Sequence, residues 1–439
     1  MGDLVEDKLH GPLVELCNEI AGLVRDDDDH KDRVSARWFD RHSHSPGSNY
    51  HAQARSRPDF VLATETEAAK DFDKELEELE EKRDEMADKE LDRKLRIFWI
   101  HIHSIVVIKR GNRSDIQTLY QLFTYQRQVL TEQLDRRFVI GFVLCRDELQ
   151  AVICDRSGIQ VTQTSINIHQ RPTFFIEIIG ALSQMTPEQL GWDTSMKLYP
   201  LSTLEEISSY DVNADFAVEN SRYHSHWTIE VTQNEGVEKF VSVSILSAAR
   251  SGDICSRATL VFEVVRYSER FEPSEVAPKY YDHILVLKRY WRPAVESSGT
   301  DCPQYPTEGR YYEFLQAKDP PGTPKRIHSH GDIKVHNDDG ELVVDSTFNT
   351  ISVLEASSLP NFTQKVRYRR RDERDGDAEL RLYYVAQDMG HALGFSDDEL
   401  AARTPIDRIH TDILIPRGFM IRLFSDLLEL LQCLCACLR

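Results

Sequence analysis

The apolar positions of this chain fall into two kinds of repeat, helical at the start and alternating through the middle. Leu13, Leu16, Cys17, Ile20 and Leu23 recur at three- and four-residue steps and predict a helix over 11–25. The acidic run 26–32 stops it, and residues 41–58 read as a polar, breaker-rich loop. Residues 68–95 carry few apolar positions among many charges. They predict a charged helix with pairs of both signs, Glu77–Glu81 repelling and Glu78–Lys82 attracting. Such a helix projects into solvent or meets a partner.

The period then changes. "RIFWIHIHSIVVIK" (96–109) is alternating and β-branched, so it predicts a strand. Residues 114–134 form an amphipathic helix with Ser114 as N-cap. Strands follow in "RRFVIGFVLC" and "LQAVICDRSG", a turn at Ser157-Gly158, then "IQVTQTSINI" and a helix over 172–185. A second series opens near 225 with "HWTIEVT", "KFVSVSILSAA", "ATLVFEVVRY" and "DHILVLKRYW", four strand-like runs in succession. A helix over 307–318 capped by Thr307, strands at "ELVVDS" and "ELRLYYVAQ", and a closing strand, turn and helix complete it. The expected class is α+β. Residues 1–95 form a charged helical region, 96–224 an α/β domain, and 225–439 a second domain. No internal repeat is visible.

Composition narrows the function classes. With 53 basic and 73 acidic residues the net charge is -20, which disfavours wrapping nucleic acid. No apolar run reaches the roughly 20 residues of a membrane span. The N-terminus lacks the layout of a secretion signal. The 8 cysteines include no CxxC pair, so they read as reduced thiols of an intracellular protein, in cytoplasm or nucleus. Cys433, Cys435 and Cys437 lack a fourth metal ligand and read as apolar positions of a terminal helix.

One stretch has the shape of a kinase catalytic loop, "HGDIKVHN" at 330–337, with Asp332 and Asn337 in the key places. Spacing argues against it. Lys288 fits the phosphate-anchoring lysine at the end of an apolar strand, and Glu308 the acid of the next helix. Further strands, a hinge and two helices belong before the catalytic loop, roughly 40 residues. Only 12 positions separate Lys318 from His330. Asp332 therefore reads as a surface turn residue. The sequence contains no Asp-Phe-Gly.

Several stretches together resemble the fungal-type protein kinase family: "QLFTYQRQVLTEQLDRRFVIGFVLCRDELQAVICDRSG", "LGWD", "SRATLVFEV", "ILVLKRYWRP", "TEGRYYEFL" and "RIHTDILIPRGFMIRLFSDLLELLQCL". The resemblance runs over 96–439. It implies a kinase-like small lobe, ATP phosphates at Lys288, Glu308 paired with that lysine, and Arg257, Ala258 and Thr259 in the phosphate-covering turn. Ser256 and Ala258 stand where glycines usually let backbone approach phosphate. The catalytic and metal-binding loops do not appear before Arg439, so the large lobe is expected to be incomplete. ATP is expected to bind weakly, magnesium is not expected without those loops, and phosphate transfer is not expected of this chain. A non-catalytic scaffold acting on a partner protein is the alternative to a kinase with a protein substrate.

The first domain carries a second resemblance. "RPDF" (57–60) and "VVIKRG" (106–111) resemble restriction-endonuclease-like metal nucleases, which place an Asp before a Glu-x-Lys strand, with Gln126 on the helix after it. Val107 occupies the Glu position, which removes a carboxylate ligand. A nuclease-like scaffold used for binding is the reading that remains. "DRSG" (155–158) reads as a turn.

Overall fold

The computed structural model describes residues 7–25, 36–42, 45–46, 56–64, 99–111, 116–162, 165–198, 227–233, 236–248, 257–267, 284–293, 308–318, 327–336, 342–347 and 408–416. The charged 68–95 segment, Ser114, Ser256, Thr307, Asn337, the "ELRLYYVAQ" run and the C-terminal helix expected after the last strand lie outside these residues.

The first body is a helix-covered sheet. Its elements are α1 (Asp7–Arg25), β1 (Ala36–Asp40), β2 (Phe60–Thr64), β3 (Ile102–Lys109), α2 (Ile116–Glu132), β4 (Val139–Cys145), β5 (Glu148–Cys154), β6 (Ile159–Val161), β7 (Ile166–Asn167) and α3 (Pro172–Gln184). The strand order is β1-β2-β3-β4-β5-β6, with β7 beside β5. Only β3 and β4 run parallel, and α2 makes the crossover that a parallel pair requires. All other pairs are antiparallel.

Helices on both faces explain why β3 reads as an almost unbroken apolar run. Val106 and Ile108 point into one core with Val14, Cys17 and Ile20 of α1 and Ile178, Ile179 and Leu182 of α3. Ile105 and Val107 point into the opposite core with Leu119, Leu122, Val129 and Leu130 of α2. Each such side chain taken out of water contributes about 1.5–3 kcal/mol.

This sheet departs from the expected domain start at residue 96. β1 and β2 come from the segment read as a charged helical region, and α1 packs on α3 and β1. Two five-residue strands set among polar runs give too little alternation to stand out. Asn18 holds α1 to the edge strand: its Nδ2 donates to Trp38 O at 3.0 Å and its Oδ1 accepts from Trp38 N at 2.9 Å. That pairing occupies backbone groups a sheet edge would otherwise leave open.

The second sheet is antiparallel throughout, in the order β13-β16-β12-β11-β10-β9-β8. It contains β8 (Met196–Leu198), β9 (Trp227–Gln233), β10 (Gly236–Ser247), β11 (Leu260–Arg266), β12 (Leu285–Pro293), β13 (Ser329–Asp332) and β16 (Arg408–Pro416). Helix α4 (Glu308–Lys318) follows β12, and β14 (Lys334–His336) pairs with β15 (Leu342–Val344) as a separate ribbon. Phe240, Phe262, Leu287 and Leu414 fill its core, joined by Leu134 from the turn after α2. β8 precedes residue 225 yet belongs to this sheet, so the two bodies share both chain and core.

Candidate functional site

β12 is a central strand, flanked by β11 and β16, and Lys288 lies opposite Val261 on one side and Ile413 on the other. Successive side chains of a strand point to opposite faces. Lys288 therefore leaves the face that Leu287 and Arg289 occupy. Its Nζ meets both carboxylate oxygens of Glu308, at 2.5 and 2.8 Å. Glu308 opens α4, and its neighbour Gly309 explains how the helix comes so close. A Cβ on Gly309 would sit 2.1 Å from Cγ of His330 in β13. His330 Nε2 also pairs with Glu313 Oε1 at 2.9 Å. His330 thus holds α4 at two points, and Glu313, the other acid of this helix, engages the histidine.

The return arm of the β10–β11 connection reaches the same place. Arg257 Nη2 contacts Glu308 Oε2 at 3.1 Å. Two cations then share one carboxylate, which leaves a net positive point. Both also lie near the Tyr290 ring, the Arg257 guanidinium 4.7 Å and Lys288 Nζ 5.2 Å from its centroid. Burial, with the Glu308 carboxylate beside it, pushes the Tyr290 hydroxyl up to about 12. That hydroxyl is buried and has no hydrogen-bond partner among the described residues. Between Arg257 and Thr259 stands Ala258 at φ 38°, a left-handed backbone that glycine adopts without cost.

The order of these parts is a turn between two strands, a lysine on the next strand, and its acid at the head of the next helix. That is the order of the phosphate-anchoring end of a protein kinase. Residues 80–439 match the family described as Fungal protein kinase. The chain belongs to that family. No curated protein matches the chain, and no solved structure does.

Within this kinase-family body the structure brings Lys288, Glu308 and Arg257 together, with Thr259 half-buried at the end of the same turn. Tyr290 escaped the sequence reading, although it lies two positions after Lys288, on the same face of a strand. His330 escaped it because it was read inside "HGDIKVHN".

That stretch is divided by the fold. His330, Gly331 and Asp332 pair with β16 as an edge strand, while Lys334–His336 belong to the ribbon. Asp332 is therefore a strand residue rather than a surface turn residue. Its two oxygens bind Arg292, at 3.1 and 2.7 Å, and Oδ1 accepts from Thr411 Oγ1 at 2.8 Å. The short apolar flanks of Asp332 hide the strand from a pattern reading, and the pairing with β16 makes it.

On the opposite face of β12, Arg289 uses all five of its N–H groups. Nε and Nη2 donate to Asp412 at 2.8 and 2.7 Å. Nη1 donates to Asp193 Oδ2 at 2.9 Å and Ser195 Oγ at 3.0 Å, and Nη2 also to Glu230 O at 3.1 Å. Burial opposes the charge, but Asp412 and Asp193 outweigh it and push the guanidinium up. Beside it Asp345 meets Arg137 Nη2 at 2.6 Å and His410 Nδ1 at 3.0 Å. Burial works against this carboxylate too, and the Arg137 charge and the His410 bond outweigh it and hold it below its usual range. The cluster joins the first body, through Arg137 and Asp193, to the kinase-family sheet.

In the first body Asp59 stands against β3, where Ile108 N donates to its Oδ2 at 2.5 Å. Gln126 Nε2 donates to the carbonyls of Val139 and Val152, at 3.1 and 2.9 Å. Asp155 caps its own turn by accepting from the backbone N–H groups of Ser157 and Gly158, at 2.8 and 3.0 Å, as a turn residue does.

Proposed function

We propose that the kinase-family sheet binds the phosphates of ATP in front of β12. The bond from Lys288 to both oxygens of Glu308 carries this reading. It fixes a flexible ammonium in a half-open place, where a phosphate finds a positioned charge. Arg257 adds a second cation beside it. The left-handed Ala258 keeps a methyl group where glycine would admit phosphate closely, so the affinity is modest. Phosphoryl transfer needs an acid that orients the acceptor hydroxyl and acids that hold magnesium. Among the described residues Asp332, the aspartate of the loop-like stretch, is taken by Arg292 and Thr411. We read the chain as a nucleotide-binding, kinase-family protein that works on or with another protein, without transferring phosphate through these residues. Its place is inside the cell. Among the described residues no helix is long and apolar enough to cross a membrane.

Titration with a fluorescent ATP analogue tests this. Lys288→Ala should weaken binding roughly tenfold or more while thermal stability holds, because partly exposed ion pairs contribute little, about 0–1 kcal/mol. Unchanged affinity in that variant would overturn the nucleotide reading and leave the scaffold alternative.

For the first body we read a nuclease-like scaffold that serves binding. The order of helix, three antiparallel strands, crossover helix and parallel strand supports it, as does Asp59 held against β3. The donor set does not fit a hydrolytic metal. Val107 points into the α2 core, and Asp59 Oδ2 is engaged by backbone.

A further inference from the structure

We infer that His10, Asp40 and His42 form a binding site for a divalent transition metal of the zinc class, clasping the start of α1 to the end of β1. The ligand atoms of the three residues lie within 4.8 Å of one another. They come from two elements that are far apart in sequence and are brought together by the fold.

His10 is the decisive member. It is 2% exposed, and neither ring nitrogen has a hydrogen-bond partner among the described residues. A buried imidazole without a partner loses its hydration and gains nothing in return. Its ring centroid lies 4.6 Å from that of His42, with the planes tilted at 51°. His42 Nδ1 is 2.5 Å from Asp40 Oδ1, and the same oxygen accepts from His42 N at 3.1 Å. Asp40 and His42 are about one-third exposed, each side chain at 32%. The site is therefore closed on the His10 side and open to water on the other.

Two imidazoles and one carboxylate suit zinc and its neighbours, whereas magnesium and calcium take oxygen ligands. Three protein ligands leave a fourth position for water in tetrahedral coordination. With metal–ligand lengths of about 2.0–2.1 Å, tetrahedral ligand atoms lie about 3.3 Å apart, so the close His42–Asp40 contact has to open, which small rotations of these partly exposed side chains supply. The frame is already set. Asn18 fixes α1 against Trp38, two residues before Asp40 on β1. Backbone donation to the Asp40 carboxylate orients a ligand in the way metal sites use.

The test is a zinc titration of the chelator-stripped full chain against a chromophoric indicator, with cobalt substitution to read coordination by visible absorption. The expected result is one equivalent bound and a rise in melting temperature with zinc. His42→Ala and Asp40→Asn should each weaken binding roughly tenfold or more, with the far-ultraviolet circular dichroism unchanged. Both positions are partly exposed, so these variants avoid the folding risk of altering His10. Absence of binding overturns the inference. So does binding that survives both variants, and so does binding lost only when Cys433, Cys435 and Cys437 are replaced by serine.

Discussion

Arg289 donates to Asp193 and Asp412 at once, joining residues 96 and 123 positions away in the chain. All five donors are satisfied, so removing the guanidinium leaves two carboxylates buried without compensation. Arg289→Met should cost about 3–5 kcal/mol. Arg289→Lys should recover only part of this, because an ammonium cannot reproduce the fork. Urea denaturation of the three proteins measures it.

Gly309 and His330 set how closely α4 approaches β13. Gly309→Ala places a methyl group against the His330 ring and should cost about 1–3 kcal/mol through overpacking. Because Glu308 is the adjacent residue, affinity for the ATP analogue should fall as well. Adding His330→Ala should restore part of the stability by making room. A double-mutant cycle with thermal denaturation and nucleotide titration reads both effects.

Ala258 occupies left-handed backbone at φ 38°. Ala258→Gly should stabilise the protein by about 1 kcal/mol, less what the lost methyl contact contributes. It should also tighten nucleotide binding several-fold, since phosphate then meets backbone instead of a methyl group. Calorimetry and the same titration check the two halves separately.

His103 gives a pH dependence with a definite sign. Burial, then the neighbouring Arg136 and His101, push it well below the ordinary histidine range. It stays neutral in the fold, while the unfolded chain takes up a proton below about pH 6.5. Stability is therefore complete above that pH and falls as pH drops through the region beneath it, by about 1.4 kcal/mol per pH unit for this one group. His103→Phe keeps a ring against Trp192, which His103 meets edge-on with centroids 4.9 Å apart. It should flatten the slope of melting temperature against pH between 6.5 and 5.

The long alternating runs were legible in sequence because burial stamps its period on them. Strands β3, β4, β5, β11 and β12 all fall where alternation or apolar continuity placed them. β1, β2 and β13 were not legible, since four or five residues among polar neighbours carry almost no period. Pairing across the sheet makes those strands. Lys288 and Glu308 could be named from the order of motifs, and their contact follows from β12 handing on to α4. The Arg289 cluster could not be named. Its acids are far away in the chain, and a lone arginine after a lysine looks like two solvated charges. The same holds for His10, whose helical position gives no sign that a turn after β1 brings Asp40 and His42 to it.

Lys288 and Arg289 are consecutive, and the pleat sends them to opposite faces of β12. A slip of the strand by one residue would exchange them. Lysine would then face Asp193 and Asp412 with a single point charge where a fork is required, and arginine would enter the place that Glu308 guards. Both faces penalise the same error. The strand is checked twice, once by each of two neighbouring side chains, so the alignment that sets Lys288 against Glu308 is enforced from the opposite face by Arg289 and its acids.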